Sequence, residues 1–302
     1  MAVGLVATDL DGTIVRADGT VSPRVVAAIA AVLDRGVPWV FVTGRPPRWM
    51  HDVARATGHR AVAICANGAL VYDLHDEVVL ERYEISRSLA LETVRRVRAV
   101  MPAAAFAAET GSGFRRESAY RPRWEHADLI VAATAEDLFV QPVAKLLVRD
   151  ETSTGDAMLA LAEAAVGHLV TVTHSNPVDC LLELSAPGVS KATTLARLAA
   201  RHGVDARGVL AFGDQPNDLA MLAWAGTAYA MGGGHPDVLA SVQAHAPSVE
   251  EDGVARVVEG LLADGTIRAL GTSDDDRRAA GGPQGRRRRP QGPSGSEVET
   301  VS

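Results

Sequence analysis

Apolar residues follow one rhythm at the two ends of the chain and another in the middle. Residues 4–8 form a short apolar run that ends in acids, and residues 37–42 and 61–65 are further buried strands, the first of these ending in Thr43-Gly44-Arg45. Between the first two, Ser22-Pro23 offers a helix N-cap with proline in the first turn. Apolar residues then recur through 25–33, and Gly36 stops the helix. Residues 48–57 read as a second helix. Buried strands alternating with helices predict a parallel sheet covered on both faces.

The rhythm then changes. Residues 70–72 and 78–80 flank polar residues and read as a hairpin, and Leu91, Val94, Val97 and Met101 recur at helical spacing. A strand over 145–148, a helix over 156–166 and strands over 169–172 and 178–184 complete an α+β unit. After it the first rhythm returns. Ser190 caps a helix to Arg201, 209–212 is a strand, 218–225 a helix and 228–231 a strand. This order predicts a domain made of residues 1–82 and 187–268, interrupted by a second domain over 83–186. Residues 269–302 carry Gly, Pro, Ser and charge, including the Arg286 to Arg289 run, and are expected to be a disordered, solvated tail.

Composition narrows the function classes. The 302 residues are 47% hydrophobic, enough for a sizeable core, but only 4% aromatic, so Ala, Val and Leu must fill it. A net charge of −7 disfavours a surface that coats nucleic acid. Cys65 and Cys180 are too few for a disulfide framework or a cysteine-rich zinc site, and each reads as a buried thiol. No apolar run has the length of a membrane span and no basic leader opens the chain. The expectation is a soluble, cytoplasmic monomer or small homo-oligomer with no nucleic-acid or membrane partner. Among the thirty basic residues only Lys145 and Lys191 are lysines, which makes the position of each informative.

Candidate chemistry gathers where strands end. Asp9-Leu10-Asp11-Gly12-Thr13 follows the first strand. It is either a turn with capping acids or a pair of carboxylates aimed into a ligand crevice, since ligands bind at the carboxyl ends of parallel strands. Thr43-Gly44-Arg45 follows the second strand with a hydroxyl, a flexible backbone and a cation, a set suited to phosphate. Lys191 lies in the first turn of a predicted helix, where an ammonium is electrostatically out of place unless it serves a ligand. Gly213-Asp214-Gln215-Pro216-Asn217-Asp218 follows a later strand with two more carboxylates. Hard oxygen ligands without His or Cys indicate Mg²⁺ rather than zinc.

In this order and at these positions, the four segments resemble the signature motifs of the haloacid dehalogenase (HAD) superfamily of phosphatases. The resemblance spans nearly all of the chain except the tail. The long insertion between the second and third motifs resembles a C2 cap. Asn67-Gly68-Ala69, Pro187-Gly188-Val189-Ser190-Lys191 and the stretch from Gly213 to Leu222 are similar to the Cof-type subfamily. Two departures are Ala192, where glycine commonly follows the motif lysine, and Gly232-Gly233-Gly234, where a Gly-Asn pair is common.

The resemblance implies an α/β protein with a Rossmann-like core, a parallel sheet and an inserted α+β C2 cap. It implies Asp9 as the nucleophile that forms an aspartyl-phosphate, and Asp11 as general acid and then base. Thr43 and Lys191 would hold the phosphoryl oxygens, with Gly12 and Gly44 letting the backbone approach. Mg²⁺ would be bound by the Asp9 carboxylate, the Asp11 backbone carbonyl and Asp214. Asp218 would coordinate it or order its water, and Asn217 would hydrogen-bond phosphate or nucleophile. Arg45 would either reach substrate phosphate or pin its own loop. Asn67 would face the substrate or stabilise a turn. Lys145 reads as a surface residue and His174 as a satisfied polar one, while Arg115, Arg116, Arg121 and Arg123 read as a solvated basic loop. The implied activity is Mg²⁺-dependent hydrolysis of small phosphate monoesters such as sugar phosphates. The alternatives are a phosphomutase on the same scaffold and a noncatalytic phosphometabolite-binding protein.

Overall fold

The computed structural model describes residues 2–57, 62–111, 113–122, 129–174 and 180–269. Arg123 and all of the expected tail except Ala269 lie outside the described residues. The chain begins with β1 (Leu5–Thr8), α1 (Pro23–Leu33), β2 (Trp39–Val42), α2 (Met50–Thr57), β3 (Val62–Cys65), β4 (Leu70–Asp73) and β5 (Val78–Arg82). There follow α3 (Arg87–Val100), β6 (Ala105–Thr110), β7 (Gly113–Glu117), β8 (Leu129–Ala132), α4 (Ala135–Leu138), β9 (Lys145–Arg149), α5 (Gly155–Val166), β10 (Thr171–Thr173) and β11 (Leu181–Ser185). It closes with α6 (Lys191–Arg201), β12 (Val209–Gly213), α7 (Leu219–Trp224), β13 (Thr227–Met231), α8 (Pro236–Ser241), β14 (His245–Ala246) and α9 (Gly253–Ala263).

The strands form two sheets. The first runs β14-β13-β12-β1-β2-β3-β4-β5. It is parallel from β14 to β3, and the β4–β5 hairpin is added antiparallel at one edge. Pleating sends alternate residues to opposite faces. Val6, Phe41 and Phe212 pack with Ile29 of α1 and Val258 of α9, while Leu5, Ala7, Val40 and Ala211 pack with Leu195 of α6 and Met221 of α7. The central strands β1, β2 and β12 are apolar on both faces because both are covered, as their uninterrupted apolar runs predict. The caps also follow the sequence: the Ser22 hydroxyl accepts from Val25 N at 3.2 Å, and Ser190 and Thr193 form a reciprocal capping box at the start of α6.

The second sheet runs β10-β11-β9-β6-β7-β8 and is antiparallel except for the β7–β8 pair. The sequence pattern gives no element between Met101 and Lys145, yet β6, β7, β8 and α4 lie there. The β6 segment, Ala-Phe-Ala-Ala-Glu-Thr, is rich in alanine, which favours helix. Burial against β9 on one side and β7 on the other overrides that preference. Phe106 and Ala108 join the main core, whereas Ala105 and Ala107 sit with Phe114, Tyr120 and Leu147 on the opposite face. Such small side chains leave open space above that face. Among the described residues, no helix is long and apolar enough to cross a membrane.

Candidate active site

Parallel pairing of β12, β1 and β2 sets three strand ends side by side, and Asp214, Asp9 and Thr43 follow them directly. Asp9 is 5% exposed, with its backbone N–H donating to Phe212 O at 3.0 Å. Lys191, in the first turn of α6, is 1% exposed. Its Nζ donates to Asp9 Oδ1 and to Asp218 Oδ1, both at 2.7 Å. A cation at a helix N-terminus opposes the helix dipole, and here two carboxylates offset that cost. The other Asp218 oxygen accepts from the backbone N–H groups of Asp214 and Gln215 at 3.1 and 3.0 Å. Asp214 accepts from the Thr13 hydroxyl at 3.2 Å and from Gln215 Nε2 at 2.7 Å.

Electrostatics distinguish these groups. Burial raises Asp9 well above the ordinary carboxylate range; Lys191 opposes this, and Asp218 and Asp214 add to it. Asp214 is pushed up to about 6, first by burial and then by Asp218, against the pull of Gln215, Lys191 and Thr13. Burial disfavours the Lys191 ammonium, but Asp218 and Asp9 outweigh it and hold its pKa above the usual lysine value. Asp9, Asp214 and Asp218 each offer a carboxylate oxygen within 4.8 Å of the others. Three buried acids sharing one ammonium leave negative charge uncompensated, and all the donors are hard oxygens. That donor set fits a hard divalent cation.

Other predicted residues take defined places. Gly12 has φ +80°, and a Cβ there would meet Asp214 Oδ2 at 2.5 Å. The close approach that requires glycine is therefore to a carboxylate, and the Gly12 N–H itself donates to Val15 O at 3.0 Å. Thr43 is buried, and its hydroxyl accepts from Arg45 N at 3.1 Å. Asp11 is exposed and gripped by Arg45, with Nε to Oδ2 at 2.9 Å and Nη2 to Oδ1 at 2.5 Å. Burial opposes the Arg45 charge, but Asp11 outweighs it and lifts the guanidinium above its usual value. Arg45 thus ties its own loop to the one that carries Asp11.

Asn67 joins this loop to the remainder of the site. Ala66 and Asn67 have φ values of +50° and +56°, a left-handed strain that non-glycine residues seldom carry. The strained turn aims the Asn67 amide: its Oδ1 accepts from Asn217 Nδ2 at 3.2 Å and its Nδ2 donates to Glu183 Oε2 at 3.1 Å.

Lys145 is not at the surface. It is 6% exposed, and its Nζ donates to Gly44 O at 2.9 Å and pairs with Glu183. Arg48 forms a two-pronged pair with buried Glu109, including Nη2 to Oε2 at 2.7 Å. Burial raises the pKa of Glu109, opposed by Arg48. Glu109, Glu183 and Arg48 had no motif to mark them. The available signal was a lone acid inside each of two otherwise apolar strands, Ala-Phe-Ala-Ala-Glu109 and Leu-Leu-Glu183-Leu.

The remaining candidates are structural. Arg116 donates to the carbonyls of Glu117, Ser118 and Tyr120, and Arg115 to that of Asp137, so these two hold backbone rather than wave in solvent. His174 pairs through Nε2 with Asp156 at 3.2 Å, while its buried Nδ1 lacks a partner among the described residues. Cys65 is buried and Cys180 half-buried. The Gly232-Gly233-Gly234 turn packs on the loop that carries Asp214: His235 N donates to Asp214 O at 2.8 Å, and a Cβ at Gly234 would meet that oxygen at 2.9 Å.

A cavity of about 440 Å³ connects the two sheets, with Asp9, Thr43 and Asn217 at one end and Leu147, Tyr120 and Arg149 on the wall. Residues 6–258 match the haloacid dehalogenase-like hydrolase family. Pyridoxal phosphate phosphatase YbhA of Escherichia coli (strain K12) is 26% identical over 242 residues, covering 77% of this chain and 89% of that protein. The 5-amino-6-(5-phospho-D-ribitylamino)uracil phosphatase YitU of Bacillus subtilis (strain 168) is 27% identical over 264 residues, covering 84% and 96%. Among solved structures, SMU.1108c from Streptococcus mutans UA159 superposes with a TM-score of 0.76 at 19% identity, covering 87% of this chain and 100% of that one. BT1666 from Bacteroides thetaiotaomicron gives 0.72 at 24% identity, covering 88% and 96%.

Proposed function

Because the chain belongs to the haloacid dehalogenase-like hydrolase family, we propose that it is a cytoplasmic, Mg²⁺-dependent phosphatase of small phosphorylated metabolites. The observation that carries this reading is the buried cluster in which Lys191 bridges Asp9 and Asp218 beside Asp214. The similar proteins from E. coli and B. subtilis are named for pyridoxal phosphate and a ribitylamino-uracil phosphate, both small phosphate monoesters. That likeness supports the substrate class.

Asp9 is the nucleophile. Lys191 occupies its Oδ1, which leaves Oδ2 to attack phosphorus. The Asp9–phosphorus bond forms as the bond to the leaving alcohol breaks, and Asp11 gives that alcohol a proton. Water then attacks the aspartyl-phosphate, returns a proton to Asp11 and releases phosphate. Both Asp11 oxygens are engaged by Arg45, so this proton transfer requires Arg45 to let go of at least one. Thr43, the Gly44 backbone and Asn217 orient the phosphoryl oxygens, with Lys191 as the charge nearest the attack, while the Gly12 N–H donates to Val15 O. Mg²⁺ held by Asp9, Asp214 and the Asp11 carbonyl, with Asp218 bound to it directly or through water, would offset the repulsion between carboxylate and phosphate dianion.

Residues 83–186 act as the cap over a core of 1–82 and 187–268. Lys145 to Gly44, Glu183 to Asn67 and Glu109 to Arg48 tie one to the other around the cavity. Closed in this way, the cap excludes bulk water during transfer. The experiment is a panel of phosphate monoesters assayed for released phosphate with and without Mg²⁺. Turnover of several esters, abolished by chelation, is expected; no turnover of any ester contradicts the reading.

A further inference from the structure

The cavity has a second end that this chemistry does not use. Lys145, Leu147 and Arg149 alternate along β9 and face it. At a rise of about 3.3 Å per residue, the Arg149 Cα lies roughly 13 Å beyond that of Lys145. Lys145 marks the near end, because its Nζ reaches the carbonyl of Gly44 beside Thr43. Register continues this ordering across the sheet. Lys145 pairs with Glu109, and Arg149 pairs with Ala105 and Leu181. Leu147 lies between the ends beside Glu183, with Leu181 level with Arg149 and Phe114 level with Lys145, so apolar side chains run along the wall from one end to the other.

Arg149 is out of balance. Its Nε and Nη2 are buried and have no hydrogen-bond partner among the described residues. Tyr120 stands against the group, with the guanidinium carbon 5.8 Å from its ring centroid. Lys145 on the same strand, by contrast, has a carboxylate, Glu183. A guanidinium cannot shed its charge, so two buried N–H groups without acceptors are costly. They are closed off as the side chain stands, and a ligand in the cavity reaches them when the guanidinium turns toward it.

We propose that Arg149, positioned by Tyr120, forms a distal subsite that binds a hydrogen-bond-accepting end of the leaving group. The substrates are then phosphate monoesters whose apolar or planar body ends in a carboxylate or in ring carbonyls. A guanidinium offers parallel N–H groups to two such oxygens, and the apolar wall packs the body between the two polar ends. This inference rests on the phosphatase reading.

The test compares kcat/KM of the full chain and of Arg149→Met on three esters in Mg²⁺. Phenyl phosphate has no distal acceptor, 4-carboxyphenyl phosphate has an anionic one, and uridine 5′-monophosphate has ring carbonyls. The unaltered protein should prefer at least one acceptor-bearing ester over phenyl phosphate by roughly tenfold or more. Arg149→Met should erase that preference mainly through KM and leave phenyl phosphate within about twofold. Which ester responds separates the carboxylate from the carbonyl source. The melting temperature of Arg149→Met should be unchanged or higher, because an unpaired buried charge is removed; a purely structural arginine would lower it. Absence of a preference, or an equal loss on phenyl phosphate, overturns the subsite while leaving the phosphatase reading intact. Failure of the unaltered protein to turn over any of the three, phenyl phosphate included, overturns both.

Discussion

At the carboxyl ends of the first sheet, three buried carboxylates share one ammonium. On the second sheet, Glu109 and Glu183 each have a cation of their own, and Arg149 has no acid partner among the described residues. Both clusters line the same cavity. The first is short of positive charge and the second has a surplus. Burial turns these imbalances into binding preferences, because a buried charge is tolerated only when something compensates it. One end of the cavity is therefore suited to a cation and the other to an acceptor, and a phosphate ester lying between them meets both.

The comparison is broken most severely at Lys191. Removing its ammonium leaves Asp9 and Asp218 buried side by side without a counter-charge. Lys191→Met should abolish turnover and lower stability by about 3–5 kcal/mol, the usual effect of breaking a buried pair. Phosphate release and urea unfolding measure the two effects separately. A variant with near-normal activity would remove Lys191 from the site.

The next effect concerns Asp214 and pH. Burial and then Asp218 push its carboxyl up to about 6 without metal, from an ordinary value of 3.8. Below pH 4 both folded and unfolded chains hold the proton, and the group contributes nothing. Between about pH 4 and 6 the unfolded chain releases its proton first, so stability falls as pH rises, by up to about 3 kcal/mol. Above pH 6 the penalty stays constant until a cation relieves it. The metal-free protein should lose melting temperature across this window relative to Asp214→Asn. Added Mg²⁺ should raise the melting temperature more at pH 7 than at pH 5. A metal effect independent of pH would contradict the charge imbalance.

The smallest effect belongs to the balanced cluster. Lys145→Met leaves Glu183 with Asn67 as its remaining hydrogen-bond donor from this network and removes the tie to Gly44. A loss of about 1–3 kcal/mol is expected, with KM changed more than kcat, since Lys145 stands beside the reacting groups and not among them. A fall in kcat as large as that of Lys191→Met would erase the distinction between the two regions.

The two regions also differ in how visible they were before folding. The first sheet repeats one unit, an apolar strand followed by polar residues, so Asp9, Thr43 and Asp214 announce themselves by following strands. Lys191 is conspicuous as a cation in a first helical turn. The sequence order was enough to group these residues, because parallel strands share a carboxyl edge. The second wall follows no such rule. Glu109, Lys145 and Glu183 meet only through the antiparallel register of β6, β9 and β11, and register depends on pairing between segments far apart in sequence. Lys145 looked like surface because a lysine at a strand start usually is. Its burial follows from Glu183 and the Gly44 carbonyl, neither of which is adjacent to it in the chain. The alanine-rich stretch before Glu109 concealed β6 for a related reason, since alanine carries no strand signal of its own.

The central claim is that Asp9 is the nucleophile within an acid cluster short of positive charge, and Asp9→Asn tests it most directly. The substitution keeps the shape of the side chain, removes the attacking carboxylate and relieves repulsion with Asp214 and Asp218. Phosphate release in Mg²⁺ should vanish while the melting temperature of the metal-free protein holds or rises. Substantial Mg²⁺-dependent turnover by that variant would contradict the account.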